Sequence, residues 1–373
     1  MTNYDILGLM SGSSLDGLDL AHCRFVLNEE NEILSWEILQ AETLPYSTAW
    51  KERLQKLPTA SALELAQTDA AYGSLMGALV TEFLNKYEIQ PDYIASHGHT
   101  IFHYPEQKLS LQIGDGAALA PTSGYPVICD FRTQDIALGG QGAPLAPTAD
   151  LYLFKAYQCC LNLGGIANLS VQTPNGYVAF DICGANQILN ALVAPLGLEY
   201  DDKGSMAATG QLIPALLEES LSLDFFQQEY PKSLGNDWVL AHQTTAFCQH
   251  DGELTDKLYT ANRMIAQLIA DHLAMVIQKE NLNPAEMNML VTGGGAFNDF
   301  LIECIREACG DSVNVHIPSA TIIGFKEAAL MALMGLLRIR QMPNCLASVT
   351  GASQDSINGA LYQIPELIPT YSN

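Results

Sequence analysis

The chain opens on YDILGLM (4–10), apolar at most positions. After a short break LDLAHCRFVL (18–27) alternates: Leu18, Leu20, His22 and Arg24 fall on one face of an extended chain, Asp19, Ala21, Cys23 and Phe25 on the other. This pattern predicts two strands joined by the Gly- and Ser-rich turn between them. Helical spacing follows over 61–87, then a short strand in DYIASHGHTIFH (92–103) and the segment SLQIGDGAALA (110–120). YPVICDFRTQDIALGGQGAPLAP (125–147) combines a strand, a polar turn and the most linker-like composition of the chain. CCLNLGGIANLSV (159–171) repeats strand, Gly pair, strand. GYVAFDICGANQILNAL (176–192) reads as a strand, a turn carrying Asp181, and a helix. Long helices are predicted over 210–228 and 255–280, and MNMLVTGGGAFNDFLIECI (287–305) reads as strand, triple Gly, helix.

The hairpin with a glycine turn thus occurs twice, at 4–26 and 159–180, each time followed by further strands and helices. An α/β protein of two similar lobes follows, joined near 125–150 with a cleft between them. The first lobe is expected to take residues 1–130 plus a returning segment 338–373, the second 131–337. A length of 373 residues agrees with two domains rather than one core.

Composition narrows the function classes. With 48% hydrophobic and 16% charged residues, the chain has ample material for cores. AALMALMGLL (328–337), the longest apolar run, is flanked by Lys326 and Arg338 and falls short of the roughly 18–20 residues a bilayer span needs, so a buried helix is expected. Residues 1–9 lack a basic region and do not read as a secretory signal. Nine Cys without a C-x-x-C point to reduced thiols, as in a cytoplasm. A formal charge of −24 speaks against nucleic acid and against anionic membranes as partners. It leaves room for a nucleotide held by backbone amides and a cation.

Three Gly-rich turns follow predicted strands: Gly12–Gly17, Gly164–Gly165 and Gly293–Gly295. Glycine lets backbone amides approach a ligand closely, and clustered amides make anion nests. Any one turn alone reads more readily as a tight bend; three together favour nucleotide binding. Gly12 and Gly17 have P-loop spacing, but Leu18 and Asp19 stand where Lys and Ser/Thr belong, and the turn leads into a strand. No G-x-G-x-x-G is present. The first turn therefore joins a hairpin, with Ser13 and Ser14 as hydroxyl donors. Asp16 and Asp19 beside a phosphate nest call for a divalent cation, most simply Mg²⁺.

These segments resemble the anhydro-N-acetylmuramic acid kinase family of the actin/hexokinase/heat-shock-ATPase superfamily. The resemblance runs from GLMSGSSLDGLD (8–19) through SHGHTIFHYP (96–105), LQIGDGAALA (111–120), DFRTQDIALGGQGAPLAP (130–147), LNLGGIANLS (161–170) and FDICGANQILNAL (180–192). It continues through YDDKGSMAATG (200–210), YPKSLG (230–235), VTGGGAFN (291–298) and KEAALMALMG (326–335). It implies a duplicated, ribonuclease H-like fold and ATP-dependent opening of 1,6-anhydro-N-acetylmuramic acid, giving the 6-phosphate and ADP in bacterial cell-wall recycling. By the resemblance Gly12, Ser13, Ser14, Leu15, Asp16, Gly17, Leu18 and Asp19 wrap the ATP phosphates and Mg²⁺. Gly164 and Gly165 make the second phosphate turn, and Gly293, Gly294, Gly295 and Asn298 the adenosine turn. Family members pair as homodimers.

Asp181 ends an apolar strand before a small-residue turn, a place from which a carboxylate reaches ligands in open α/β sheets. Capping of a 184–192 helix is its alternative role; the resemblance makes it the general base. His97, His99 and His103 are spaced as a metal cluster or as a polar loop, and the resemblance places His97 and His99 at the sugar. Arg132 and Asp135 read as a surface ion pair or, beside a muramic acid, as sugar contacts with Arg132 on the lactyl carboxylate. Lys232 in YPKSLG reads as a loop bend or a functional residue. The chain departs from the family pattern at Ser13, in FDICGAN, at His99 and at Asn236–Asp237, so sugar contacts are less determined than phosphoryl transfer. A kinase of another sugar hydroxyl and a non-catalytic ATP-gated module remain rival readings.

Overall fold

A computed structural model describes residues 1–364 apart from Ser13, Asn175, Ala285 and Glu286. The Ser13 hydroxyl and the last part of the expected 338–373 segment therefore lie outside the described residues. β1 (Thr2–Ser11) and β2 (Gly17–Leu27) form the expected antiparallel hairpin, with Thr2 opposite Leu27 and Met10 opposite Asp19. β3 (Ile33–Pro45) extends it along β2. On the other side of β1, β4 (Tyr93–Tyr104) runs parallel, β5 (Leu109–Ile113) folds back on β4, and β6 (Val127–Cys129) again runs parallel to β4. The alternation along β2 does not separate core from water. Leu18 and Leu20 on one face and Ala21, Cys23 and Phe25 on the other are all fully buried, because this strand is covered on both sides.

The second sheet repeats the plan. β7 (Cys159–Leu163), β8 (Ile166–Thr173) and β9 (Gly176–Gly184) form an antiparallel meander, and β10 (Met287–Thr292) and β11 (Val313–His316) add parallel strands beside β7. β12 (Ala360–Tyr362) pairs with β6 in the first sheet. The spatial orders β3-β2-β1-β4-β6 and β9-β8-β7-β10-β11 are the same arrangement, three antiparallel strands then two parallel ones. This is the duplicated ribonuclease H-like plan.

The chain divides into one unit of Met1–Leu153 with the segment from Phe325 onward, and a second of Phe154–Gly324. The first unit is larger than the sequence suggested, taking in 131–153 and 325–337. The physical reason is burial: Phe131, Ile136 and Ala149 are core residues, as are Ala328 to Met334. The linker-like 138–147 stretch is pinned by Asp135, whose carboxylate accepts from Gly142 N and Thr350 Oγ1, both at 2.7 Å.

Helix Ala62–Tyr87 starts where Ser61 accepts from Glu64 N, as its S-x-x-E sequence suggests. Helix Leu254–Lys279 matches its expected span. The expected 210–228 helix is shorter: it begins at Pro214, ends at Leu221 and gives way to a 3₁₀ turn at Asp224–Gln227. Helix Ala320–Ile339 is long and apolar enough to cross a membrane by composition, yet 61% of its most apolar window is buried in protein. Gly8 of β1 lies against this helix so tightly that a Cβ would come within 1.8 Å of the Ala328 carbonyl oxygen. Backbone cannot give way as a flexible side chain does. Gly8→Ala is therefore expected to destabilise the first unit by about 3 kcal/mol, read as a fall in melting temperature; an unchanged melting temperature would contradict this packing.

Candidate active site

The first Gly-rich turn leaves β1 at Ser11 and enters β2 at Gly17. Its glycines divide by what a side chain would meet. A Cβ on Gly17 would press on the Leu44 carbonyl at 2.3 Å, so that glycine serves strand packing. A Cβ on Gly12 would meet nothing closer than Ser14 Oγ at 3.8 Å, so the fold does not demand glycine there. Open space beside an unneeded glycine is what backbone approach to a ligand requires. Leu15 holds a left-handed φ of 56°, uncommon for a non-glycine and characteristic of functional turns. Leu15 and Leu18 are buried, so only their backbone is available to a ligand; Ser14 and Asp16 are exposed.

Asp19 accepts from Thr43 Oγ1 at 2.6 Å. Burial raises its carboxyl above the usual carboxylate range, and the charge of Asp16 adds to the rise. Glu327, an exposed side chain on the helix the sequence suggested was core, is likewise raised, by partial loss of water around its carboxyl and by Asp19. The first unit thus gathers acidic groups at the turn that repel one another. Below the turn Ser11 Oγ receives the hydroxyls of Tyr46 and Tyr72 at 2.9 Å and lies 3.2 Å from His99 Nδ1. Tyr46 and Tyr72 carried no sequence signal, since only tertiary contact brings them to Ser11.

The three histidines of β4 do not converge. His99 meets Ser11, and His103 Nδ1 lies 3.1 Å from Ser110 Oγ. His97 Nε2 accepts from Arg132 Nε at 3.0 Å, so its Nδ1, 3.0 Å from the Gly98 carbonyl, carries the proton. Burial and the Arg132 charge push His97 down to about 3, so it stays neutral. Gly98 at φ 72° breaks the strand alternation and turns the two imidazoles to different partners. Among the described residues no group of three or more His, Cys, Asp or Glu side chains is placed to hold a metal.

Arg132 and Asp135 do not pair as a surface ion pair. Asp135 has no exposure and is spent on Gly142, Thr350 and, through its own N–H, Asn358. It is a positioning residue with no free face for a sugar, a correction to the sugar contact expected of it. Arg132 donates to His97 and to the Gly142 carbonyl, with no carboxylate within ion-pair distance among the described residues. Burial lowers its guanidinium from the usual value.

In the second unit the Gly164–Gly165 turn is anchored by helix Asn186–Val193: Ala185, Asn186 and Gln187 donate their N–H groups to the two glycine carbonyls. Neither glycine is required by packing, as nothing lies closer than 3.4 Å to a Cβ at Gly164 or 3.9 Å at Gly165. Asp181 does not end its strand. β9 continues to Gly184, and Asp181 pairs opposite Asn168 while Cys183 pairs opposite Ala167, leaving Ile182 as a bulge. The capping role is excluded, since the helix N-cap position is Ala185 with no side-chain cap. Asp181 Oδ2 instead accepts from Leu234 N at 2.8 Å, and its N–H donates to the Lys232 carbonyl at 3.1 Å. Burial raises this carboxyl above the usual carboxylate range.

A cavity of about 760 Å³ opens beside the third turn, lined by Gly294–Asp299, Asn186, Tyr200, Lys203 and Ile317–Pro318. That volume suits a nucleoside-sized ligand. Gly294 is open to it, its nearest Cβ contact being Asn186 Nδ2 at 3.7 Å, whereas Gly293 and Gly295 are held by Leu163 at 2.8 and 2.7 Å. Asn298 does not face a ligand freely: its Oδ1 caps Leu301 N at 3.0 Å and fills the space a side chain at Gly204 would need. Tyr200 and Lys203, from the YDDKGSMAATG segment, and Ile317 and Pro318, from no segment singled out in the sequence, complete the wall.

A repeated ribonuclease H-like unit, with glycine turns open to ligand at the ends of its strands, defines a two-unit α/β protein of nucleotide-binding type. The chain belongs to the anhydro-N-acetylmuramic acid kinase family, whose profile matches residues 4–364. It is 32% identical over 383 residues to the anhydro-N-acetylmuramic acid kinase of Acinetobacter baylyi, covering 96% of this chain and 99% of that relative. It is 31% identical to that of Synechococcus elongatus, covering 96% and 99%. Among solved structures, the activator of the 2-hydroxyisocaproyl-CoA dehydratase from Clostridium difficile with bound ADPNP is similar over 90% of this chain and 97% of that one, at 12% identity and a TM-score of 0.40.

Proposed function

We propose that this protein uses ATP to open 1,6-anhydro-N-acetylmuramic acid with water and phosphorylate O6, giving N-acetylmuramic acid 6-phosphate and ADP in cell-wall recycling. The observation that carries the reading is Asp181: a carboxylate raised by burial, with Oδ2 fixed by Leu234 N–H and no hydrogen bond to Oδ1 among the described residues. Such a group is poised to take a proton. Asp181 removes a proton from the water that attacks the anomeric carbon. As that C–O bond forms, the bond from the anomeric carbon to O6 breaks, and O6 takes the γ-phosphoryl group while ADP leaves. The turns at Gly12 and Gly164–Gly165 hold phosphates through backbone amides, and the cavity beside Gly294 takes the adenosine.

Asp16 and Asp19 fit Mg²⁺, which takes one or two carboxylates together with phosphates and waters rather than a full protein cage. Asp19, raised by burial and by a neighbouring carboxylate, is a group whose charge a cation would relieve. When bound, Mg²⁺ neutralises charge on the phosphoryl oxygens. Arg132, half-buried without a carboxylate, suits the lactyl carboxylate of the sugar. A cytoplasmic homodimer is part of the same proposal.

Turnover in ¹⁸O-water separates the readings. Ring opening by water places one label in the product, detected by mass spectrometry before the hemiacetal exchanges. A kinase of an ordinary hydroxyl incorporates none, and an ATP-gated module shows slow ATP turnover that no sugar stimulates.

A further inference from the structure

The loop Tyr230–Gly235 holds Asp181 from two sides, through the Lys232 carbonyl and the Leu234 N–H. The Lys232 side chain runs the other way. Its Nζ donates to the Phe225 carbonyl at 3.0 Å, lies 2.8 Å from His272 Nε2, and sits 4.6 Å from the centre of the Phe225 ring. His272 Nδ1 is 2.7 Å from the Leu268 carbonyl, so that nitrogen carries the proton and Nε2 accepts. Tyr230 of the same loop stacks on Phe180, the residue before Asp181, with ring centres 5.3 Å apart. No carboxylate lies within ion-pair distance of Lys232 among the described residues. A lone ammonium fastened to an imidazole, a carbonyl and a ring is a clip, and the loop it fastens carries one contact to the Asp181 carboxylate, from Leu234 N–H, and one to the Asp181 backbone N–H, at the Lys232 carbonyl.

We infer that Lys232 is a positioning residue: its ammonium, clipped to His272 and Phe225, holds the loop whose Leu234 N–H orients Asp181. The inference rests on Asp181 acting as the base. Charge assistance is what makes such bonds strong, and it disappears with the proton. The groups facing Lys232 are His272, with Asp271 beside it, on helix Leu254–Lys279 and Cys183 on β9. Burial brings the Lys232 ammonium down to about 8, within reach of an ordinary alkaline titration. Below that value the clip is charged and closed; above it the loop loosens and Asp181 loses its orientation.

Two measurements on the full-length protein test this. In the absence of substrate, the Leu234 amide signal in ¹H–¹⁵N NMR is expected to titrate with a midpoint near 8 in the wild type and to stay flat in Lys232→Arg, whose guanidinium keeps its charge. In turnover, the wild type should show an alkaline limb in kcat that Lys232→Arg lacks. Lys232→Met should lose roughly 10- to 100-fold in kcat, as small misplacements of catalytic groups do, with KM for ATP unchanged. A Leu234 signal that ignores pH in the wild type, or an alkaline limb that persists in Lys232→Arg, overturns the inference. The NMR arm needs no turnover, so a protein inactive on the anhydro sugar and a protein without the clip are distinguishable results.

Discussion

Asp181→Asn is expected to lower phosphorylation of the anhydro sugar by about 10²–10⁴-fold or more, the contribution of a positioned general base, while ATP binding is retained. The amide keeps the shape of the carboxylate, and its oxygen still accepts from Leu234 N–H, so the loop stays in place. Only the capacity to take a proton is lost. The wild type should lose activity as pH falls through the Asp181 value, which lies above the ordinary 3.8 because burial disfavours the charge. The same shift makes the ionised carboxylate a cost to folding. A carboxyl raised in the folded state binds its proton more tightly there than when unfolded, so stability falls as pH rises past its unfolded value. Asp181→Asn is therefore expected to melt higher than the wild type at neutral pH, the difference shrinking in acid. Calorimetry with ATP, a coupled assay and thermal melts decide the matter. Wild-type turnover in Asp181→Asn would remove this residue from the role of base.

The second large effect is expected at the third glycine turn. Gly294→Phe should weaken ATP binding by about two orders of magnitude, close to 3 kcal/mol, with the melting temperature nearly unchanged. The nearest atom to a Cβ there is 3.7 Å away, and the space beyond is the cavity itself. Gly295→Ala is the contrasting substitution. Its Cβ would stand 2.7 Å from Leu163 Cβ and 3.1 Å from Asn186 Oδ1, so a much smaller change should lower the melting temperature. Calorimetric ATP titration of Gly294→Phe, with its melt, checks both statements. Unaltered ATP affinity would place the nucleoside elsewhere.

How much of this was legible beforehand depends on how local the signal is. Strands β1, β2, β7 and β8 and the helices at 62–87 and 254–279 were readable because each carries its own periodicity or cap. β3, with one exposed face along much of its length, and the three-residue β12 carry almost no pattern, and both exist through pairing with strands far away in the chain. The 125–147 stretch reads as linker-like from its Gly and Pro content. It belongs instead to the first unit, because Asp135 ties it to Thr350 and Asn358 more than two hundred residues later. Glu327 was hidden inside an apolar helix, where one acid among alanines and leucines looks incidental until Asp19 stands near it.

By itself the sequence determined the two hairpins, their glycine turns and the residue types that chemistry needs there, since backbone freedom, charge and apolar spacing are properties of short stretches. Which glycines are open to a ligand and which are walled in, that Asp181 lies beside a bulge rather than capping a helix, and that Asp135 is spent inside the fold were decided only by tertiary contact. The reason is that a side chain's protonation, orientation and access to a ligand are set by the atoms around it, and most of those come from distant parts of the chain.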